Sequence, residues 1–437
     1  MKRVRSIVWI GTGVCVSAIL AGIVLAGAPS MTPDMPREVL SWRDEILSKD
    51  EYRDLVRQWQ AYVDKHPDSA AACVQLARAM RYAGTASAEE RNALIRRALG
   101  LDPDCPEALD AYADTGLHSS QPMLTVEEAI RHARRASELA PSWTYPHFTL
   151  WSHFIALNRR DEAGDELRAI LEKGGFPSTL LDFNYNFLVS AEPGAVIFTN
   201  GDNDTYPVLA LQEVYGIRTD VAVVNLSLLN LVEYATSVWE RAFGRKGPFT
   251  EKELRALYDG WKEGWEYKTS GTLYATKVMQ ALMDKVRKGK WKKPVYFALT
   301  VAQDHLEACG QDLKIEGLLL RVQKQTRPKG EKCCDYDLDL AKTLGLFRDE
   351  LRLESATDLA YPWKPESAIR PLMTNYAAVL KMVAVESAEK GDLETVRYAL
   401  GEAIRIMDFH GNVDFVRKMA EYWKEVDPKN RDVDKWL

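Results

Sequence analysis

The chain has 437 residues, 46% of them hydrophobic and 27% charged, a composition typical of folded globular domains and not of disorder. Its length is sufficient for roughly two or three domains. A formal net charge of -6 argues against a general nucleic-acid-binding protein, because such proteins need clustered Lys and Arg to displace counterions from phosphates.

The N-terminus predicts export. Lys2, Arg3 and Arg5 precede an uncharged stretch at residues 6–28, which is long enough to cross a hydrocarbon core of roughly 30 Å as a helix. Positive residues before such a segment keep the N-terminus in the cytoplasm. We therefore interpret residues 1–30 as a signal anchor of a single-pass inner (cytoplasmic) membrane protein, with a cleaved signal peptide as the alternative. Both interpretations place the bulk of the chain outside the cytoplasm, after a tether at residues 31–47.

Residues 48–175 predict degenerate tetratricopeptide-like (TPR-like) helical repeats. Prolines at positions 67, 103 and 141 recur at intervals of 36 and 38 residues. This is close to the TPR period of about 34, in which each helical hairpin ends at a proline-containing turn. Such hairpins bury their apolar faces against their neighbours, and we expect their concave face to bind a partner protein. A generic helical bundle is the alternative.

Residues 176–330 predict a small α/β domain. Apolar runs bounded by turn residues predict four strands, at 195–199, 220–226, 294–301 and 317–323. A predicted helix at about 206–216 joins the first two strands in a βαβ unit, and an aromatic-rich helical segment occupies 231–291. The expected fold class is mixed α and α/β, with TPR-like helical hairpins flanking a small parallel-sheet βαβ domain after an N-terminal membrane helix.

The remaining chain predicts a linker at residues 331–370 and a second TPR-like helical block at residues 371–437. The block contains three helical segments, at 376–390, 393–407 and 413–426. Export would allow a disulfide between Cys309 and either Cys333 or Cys334. The vicinal pair could instead be redox-active or bind a metal, but without a CxxC spacing we favour plain or bridged cysteines.

One distinctive motif, Asn200-Gly201-Asp202-Asn203-Asp204-Thr205-Tyr206-Pro207, follows the first predicted strand. Ligands bind parallel sheets outside the carboxyl ends of the strands, and a helix starting near Tyr206 would point its N-terminal amides there. The ligand-binding candidates are therefore the polar residues that follow the first two strands: Asn200, Gly201, Asp202, Asn203, Asp204, Thr205, Asn225 and Ser227.

The motif supports two interpretations. In one it is a structural turn, with Asp204 or Thr205 capping the helix and Pro207 in its first turn. In the other, Asp202 and Asp204 form a DxD element that holds a divalent metal through hard oxygen ligands. Nucleophile elbows, zinc-binding HExxH pairs and phosphate loops are absent from the sequence, and His305 is the one histidine predicted near the motif. This favours a non-enzymatic protein that needs no cofactor.

The motif also carries a resemblance to a known family. The runs Phe198–Pro207, Leu211–Val214, Arg218–Val221 and Val224–Asn230 resemble the soluble C-terminal region of bacterial protein O-mannosyltransferase-like membrane proteins. Lys293–Val301 and Leu313–Leu318 resemble later segments, so that the resemblance covers about residues 190–325. In that family the transferase activity belongs to a multi-spanning membrane domain, so no catalytic residue carries over to this chain. The resemblance implies a domain on the outer side of the membrane, where glycans or glycoproteins are handled.

The preferred hypothesis is a membrane-anchored extracytoplasmic TPR-like scaffold or binding protein, associated with cell-envelope glycan or glycoprotein handling. Its expected partners are a protein that binds the repeats, a glycan and the membrane, with no nucleic acid. The alternative is a carbohydrate-active or sugar-nucleotide-dependent enzyme that uses Asp202 and Asp204, with the aromatic segment at 231–291 supplying stacking faces.

Overall fold

The structure, a computed structural model, describes residues 35–118, 123–264, 273–326, 336–358 and 367–437. Its contacts divide these residues into two units, which we call the repeat unit (35–176) and the sheet unit (177–437). The predicted membrane segment at residues 6–28 lies outside the described residues. Within the described ranges, no helix is both long enough and apolar enough to cross a bilayer.

Helices make up most of the repeat unit. In chain order they are α1 (Lys49–Lys65), α2 (Ala70–Ala83), α3 (Ala88–Leu101), α4 (Pro106–His118), α5 (Val126–Leu139), α6 (Tyr145–Ala156) and α7 (Arg160–Glu172). Each helix contacts the next one in the chain, and α2, α4 and α6 also contact one another in order. This neighbour-to-neighbour pattern is that of stacked hairpins and not of a bundle around a single core. Pro67, Pro103 and Pro141 lie in the turns before α2, α4 and α6, which agrees with the predicted repeat.

Capping boxes begin α1, α3 and α5. In each, a Ser or Thr side chain accepts the backbone N–H of a Glu three residues later, and the Glu carboxylate accepts the backbone N–H of the Ser or Thr. The three pairs are Ser48/Glu51, Ser87/Glu90 and Thr125/Glu128. Because these boxes alternate along the chain with the proline turns, the boundaries of successive helices are fixed by local interactions.

The sheet unit begins with α8 (Ser178–Ser190) and contains a six-stranded mixed sheet. The strands are β1 (Val196–Thr199), β2 (Ala222–Asn225), β3 (Val295–Ala298), β4 (Gln311–Glu316), β5 (Leu319–Thr326) and β6 (Asp337–Leu338), in the spatial order β2-β1-β3-β5-β4-β6. β1 is parallel to both β2 and β3, whereas β5 is antiparallel to both β3 and β4. β6 is parallel to β4.

The sheet is therefore mixed: the predicted parallel pairing holds for β1 with β2 and β3, whereas the pairing of β5 with β3 and β4 is antiparallel, contrary to the prediction. β1, α9 (Tyr206–Tyr215) and β2 form the predicted βαβ unit. β4 lies outside the predicted strands and forms a hairpin with β5. Its last residue, Glu316, is buried and accepts hydrogen bonds from Tyr296 (2.9 Å) and Lys342 (2.5 Å). A buried carboxylate requires such partners, and here they come from other strands and helices.

Three helices follow β2: α10 (Val232–Phe243), α11 (Glu251–Glu263) and α12 (Tyr274–Arg287). Of the aromatic residues predicted in this segment, Trp239, Tyr274 and Trp291 are buried in the core. Trp265 and Tyr267 lie outside the described residues. These buried rings are unavailable for stacking on a sugar: Trp239 packs against Phe198 of β1, and Tyr274 and Trp291 contact rings of α11 and α10.

Five further α-helices follow β3 in the described residues. They are α13 (Gln303–Cys309), α14 (Leu340–Asp349), α15 (Arg370–Glu389), α16 (Leu393–Phe409) and α17 (Val413–Val426). α15 packs on α16, and α16 packs on α17, close to the predicted bounds. β6 and α14 fall within residues 331–370, so part of the predicted linker has regular structure. Cys309 is buried, while Cys333 and Cys334 lie outside the described residues, and their disulfide stays a prediction.

Candidate functional site

The motif loop, residues 200–205, joins β1 to α9. Its centre is Asp204, whose side chain is buried and accepts the backbone N–H groups of Asn200 and Gly201, each at 2.8 Å. The hydroxyl of Thr300, just beyond β3, donates to the same carboxylate. Burial raises the pKa of Asp204, and these hydrogen bonds oppose the shift. The carboxylate therefore closes the loop on itself and fastens it to the end of the neighbouring strand.

Thr205 and Asn225 connect the loop to β1 and β2. The Thr205 hydroxyl lies 2.7 Å from that of Thr199 and accepts the Asn225 side-chain N–H at 2.8 Å. Asn225 also accepts the backbone N–H of Leu228 at 2.9 Å. Thr205 occupies the N-cap position of α9, but its side chain makes no capping hydrogen bond. Its predicted N-cap position and that of Pro207 in the first turn are confirmed, but the expected side-chain capping hydrogen bond is absent, because the Thr205 hydroxyl bonds to Thr199 and Asn225 instead.

The remaining loop residues form the turn into α9. The Asp202 carbonyl accepts the N–H groups of Thr205 (3.2 Å) and Tyr206 (2.8 Å), and the Asn203 carbonyl accepts the side-chain N–H of Asn184 at 2.8 Å. Asn203 is itself buried. The motif is thus a turn that is held by three hydrogen-bond donors: Asn184 of α8 and Asn225 of β2, which bind backbone carbonyls, and Thr300 just beyond β3, which binds the Asp204 carboxylate.

The structure brings the eight predicted site residues together at one edge of the sheet. Asn200, Gly201 and Asp202 are partly buried, and Ser227 is exposed with its hydroxyl 3.4 Å from the Asn200 carbonyl. His305 lies in α13, whose first turn meets the loop through a 3.4 Å hydrogen bond from the Ala302 N–H to the Asn200 side chain. In the described part of the chain, no group of three or more His, Cys, Asp and Glu side chains is arranged to hold a metal. The metal assignment of Asp202 and Asp204 stays a prediction.

A second candidate site lies on the repeat unit. We call residues 35–47, which precede α1 and contain no helix, the leading segment. We call the adjoining sides of α2, α4 and α6 the shared face; the segment contacts it through α2 and α6. Val39 is fully buried there. Its N–H donates to the Gln75 side chain (2.7 Å) and its carbonyl accepts from Arg78 (2.9 Å). The Trp59 indole donates to the carbonyl of Arg37 at 3.0 Å. These side chains hold the segment by its backbone.

The second part of the leading segment contacts α6 and the end of α2. The Tyr145 hydroxyl accepts the Ser41 N–H at 3.2 Å and donates to the Asp44 carboxylate. The Arg43 guanidinium lies 4.2 Å from the centre of the Phe148 ring, a cation–π contact. In addition, the Trp42 ring stacks on Tyr82 at 4.6 Å. The segment is therefore bound to two of the three helices that form the shared face.

The third helix contributes a buried acid. Asp110 of α4 accepts a 2.7 Å hydrogen bond from the Thr149 hydroxyl of α6. Burial raises the pKa of Asp110 to about 6, and Asp114 adds to the shift, whereas Thr149, Arg78 and Arg43 oppose it. The side chains of Gln75, Arg78, Asp110 and Tyr145 are not among the predicted site residues. The available signal was the polar spacing of Gln75 and Arg78 in an otherwise Ala-rich helix.

We expect Asp110 to make the stability of the repeat unit fall as the pH rises. The folded pKa of about 6 exceeds the usual 3.8, so the folded state binds more protons between these values. Ionisation then costs roughly 3 kcal/mol of unfolding free energy above pH 6. Urea unfolding of wild type and Asp110→Asn should agree near pH 4 and diverge by pH 7.5, with the variant more stable. Capping residues such as Glu51, whose pKa is lowered, make stability rise with pH. They do so equally in wild type and in Asp110→Asn, so their contribution cancels when the two unfolding free energies are subtracted. The expectation would be contradicted if the unfolding free energies of wild type and Asp110→Asn differed by the same amount at every pH.

A family model described as TMEM260-associated domain 2 matches residues 180–243, from α8 to α10, and includes the motif loop. No curated protein matches the sequence. Among solved structures, the chain is similar to the TPR domain of P58(IPK), at 13% identity and a TM-score of 0.22, over 89% of this chain and 92% of that one. It is also similar to a chain of the Naa15/Naa10 structure bound to HypK-THB, at 12% identity and a TM-score of 0.25, over 88% of this chain and 62% of that one. The link to O-mannosyltransferase-like proteins stays a prediction.

Proposed function

We propose that the protein is a membrane-anchored extracytoplasmic scaffold that binds a partner protein through the shared face of its repeats. The observation that carries this proposal is the binding of Val39, whose backbone N–H and C=O are both held by side chains of α2. Every peptide offers the same backbone groups, so side chains that bind them on one segment can bind them on another. Repeat arrays expose extended surfaces of this kind to their partners.

The anchor at residues 6–28 would keep this surface near the membrane. Arg37, whose carbonyl accepts the Trp59 indole N–H of α1, lies nine positions after Ala28. A fully extended chain covers at most about 3.5 Å per residue, so Arg37 would lie within roughly 30 Å of the end of the anchor. The partner would then be another envelope protein. A role in glycan or glycoprotein handling is part of the proposal and is supported by the resemblance of the motif region.

Selection of displayed peptides on the detergent-solubilised full chain tests the proposal. We expect wild type to enrich peptides that the double variant Arg78→Ala/Tyr145→Phe binds at least tenfold more weakly, because that variant lacks the groups that hold the backbone. Arg96→Ala is the matched control, since Arg96 pairs with Glu89 on α3, away from the segment, and its loss should leave binding unchanged. Peptides that bind wild type, the double variant and Arg96→Ala equally, or no enrichment at all, would refute a role for the shared face.

Proteolysis of intact spheroplasts checks the location, since extracytoplasmic residues should be digested.

A further inference from the structure

The shared face is already occupied by the chain itself. Val39 is fully buried against it, and Ser41 and Asp44 contact Tyr145 from more than a hundred residues earlier in the sequence. The leading segment is therefore positioned where the proposed function places a partner. A partner peptide and residues 37–44 would need the same hydrogen-bonding groups of Gln75, Arg78 and Tyr145.

We propose that the leading segment is an intramolecular ligand that closes the shared face until a partner peptide of the same chemistry displaces it. This rests on the proposed function and adds its regulation. The segment is attached directly to α1, which gives it an effective local concentration of the order of millimolar. A partner therefore binds with an affinity reduced by the fraction of molecules in which the face is closed.

Displacement is an exchange of like contacts, because a partner peptide of the same chemistry would restore the hydrogen bonds of Val39, Ser41 and Asp44 that the segment gives up. The segment contains no helix, and its Trp42 side chain remains 40% exposed although it stacks on Tyr82. The buried site of Val39 would be refilled by an apolar residue of the peptide. The capping boxes of α1, α3 and α5 do not involve residues 37–44, so the exchange leaves these helix boundaries in place.

The contacts also define the partner peptide. It must present an apolar residue in place of Val39, because that side chain is fully buried. Five residues later it must present a carboxylate for the Tyr145 hydroxyl, as Asp44 does. Between them, a basic residue would replace Arg43, which lies over Phe148 and favours the ionised form of Asp110. The partner class is thus a peptide with the order apolar, basic, acidic at the spacing of residues 39, 43 and 44.

A labelled synthetic peptide with the sequence of residues 35–47 tests the inference by fluorescence anisotropy on the solubilised full chain. Two variants open the face in different ways. Val39→Glu places a charge in a fully buried position, and Trp42→Ala/Arg43→Ala removes two contacts of the segment while leaving the repeats unchanged. We expect both to bind the peptide at least tenfold more tightly than wild type, and Arg78→Ala added to either should reverse the gain. A peptide carrying the Val39→Glu change is the matched negative control.

Three other results would overturn the inference, and each identifies a different reason. Equal, tight binding to wild type and both variants would mean that the face is open, leaving the proposed function in place. No binding to either variant, with the helical circular dichroism retained, would reject the peptide chemistry, while the enrichment experiment judges the scaffold role separately. Concentration-dependent dimerisation of wild type that Val39→Glu abolishes would mean that the segment occupies the face of a second copy.

Discussion

Replacing Asp204 with Ala should lower the unfolding free energy of the sheet unit by roughly 3–5 kcal/mol, because each hydrogen bond to a charged group contributes about 1.5–3 kcal/mol. Three donors depend on this carboxylate: the backbone N–H groups of Asn200 and Gly201 and the hydroxyl of Thr300. Their loss would free the loop from β3. Chemical unfolding, with amide hydrogen exchange of β1 to β3 to locate the effect, measures the change.

Asp202→Ala is the matched control for this prediction. The Asp202 side chain is only partly buried, whereas that of Asp204 is buried, so truncation of Asp202 should cost no more than about 1 kcal/mol. Equal losses in the two variants would contradict the structural role assigned to Asp204. The same pair tests the metal prediction. If Asp202 and Asp204 hold Mg²⁺ or Mn²⁺, the ion raises the unfolding midpoint of wild type and leaves that of Asp202→Ala unchanged.

The helical repeats were predictable because their signals are local. The three prolines mark the turns, and the capping boxes at Ser48, Ser87 and Thr125 recur in step with them. Each box needs only a Ser or Thr and a Glu three residues later, a pattern that is visible without knowledge of the fold. The same pattern at Thr250 and Glu253 begins α11 in the sheet unit. Local chemistry alone therefore fixes the helix boundaries in this part of the chain.

The location of the motif loop followed from the sequence, but its internal structure did not. Buried strands on either side of a helix were sufficient to place residues 200–205 and Asn225 at one edge of a parallel sheet. That Asp204 turns inward depends on Thr300, almost a hundred residues later. The side-chain capping hydrogen bond predicted for Thr205 is absent for the same reason, because Asn225 of the next strand donates to the Thr205 hydroxyl. Short-range propensity cannot anticipate a long-range partner.

The leading segment shows most clearly what could not be predicted from the sequence. Its Pro- and Met-rich beginning is typical of a linker, and its own residues contain no periodic pattern. Its binding site is assembled from Gln75, Arg78 and Tyr145, which come together only once the repeats have stacked. The polar residues of α2 were visible in the sequence. Their ligand was not, because it lies in a different part of the chain.

Gly317→Ala should produce a comparably large loss in the antiparallel half of the sheet. Gly317 connects β4 to β5 with a φ of +60°, and an added Cβ would collide with the Ser190 hydroxyl and lie 2.8 Å from a methyl group of Leu346. The left-handed backbone alone costs an L-residue about 1–2 kcal/mol, and overpacking a filled site adds roughly 1–3 kcal/mol. We expect the unfolding free energy to fall by roughly 2–5 kcal/mol, with early loss of hydrogen-exchange protection in β4 and β5.

Gly310 separates the two contributions, because it precedes β4 with a φ of +65° and nothing within 4 Å of an added Cβ. Gly310→Ala should therefore show only the backbone cost, about 1 kcal/mol. Adding Ser190→Ala to Gly317→Ala removes the hydroxyl that collides and should restore part of the loss, a coupling that independent sites would not show. Equal losses in the two glycine variants, without rescue, would mean that the β4–β5 turn is not packed against α8 as described.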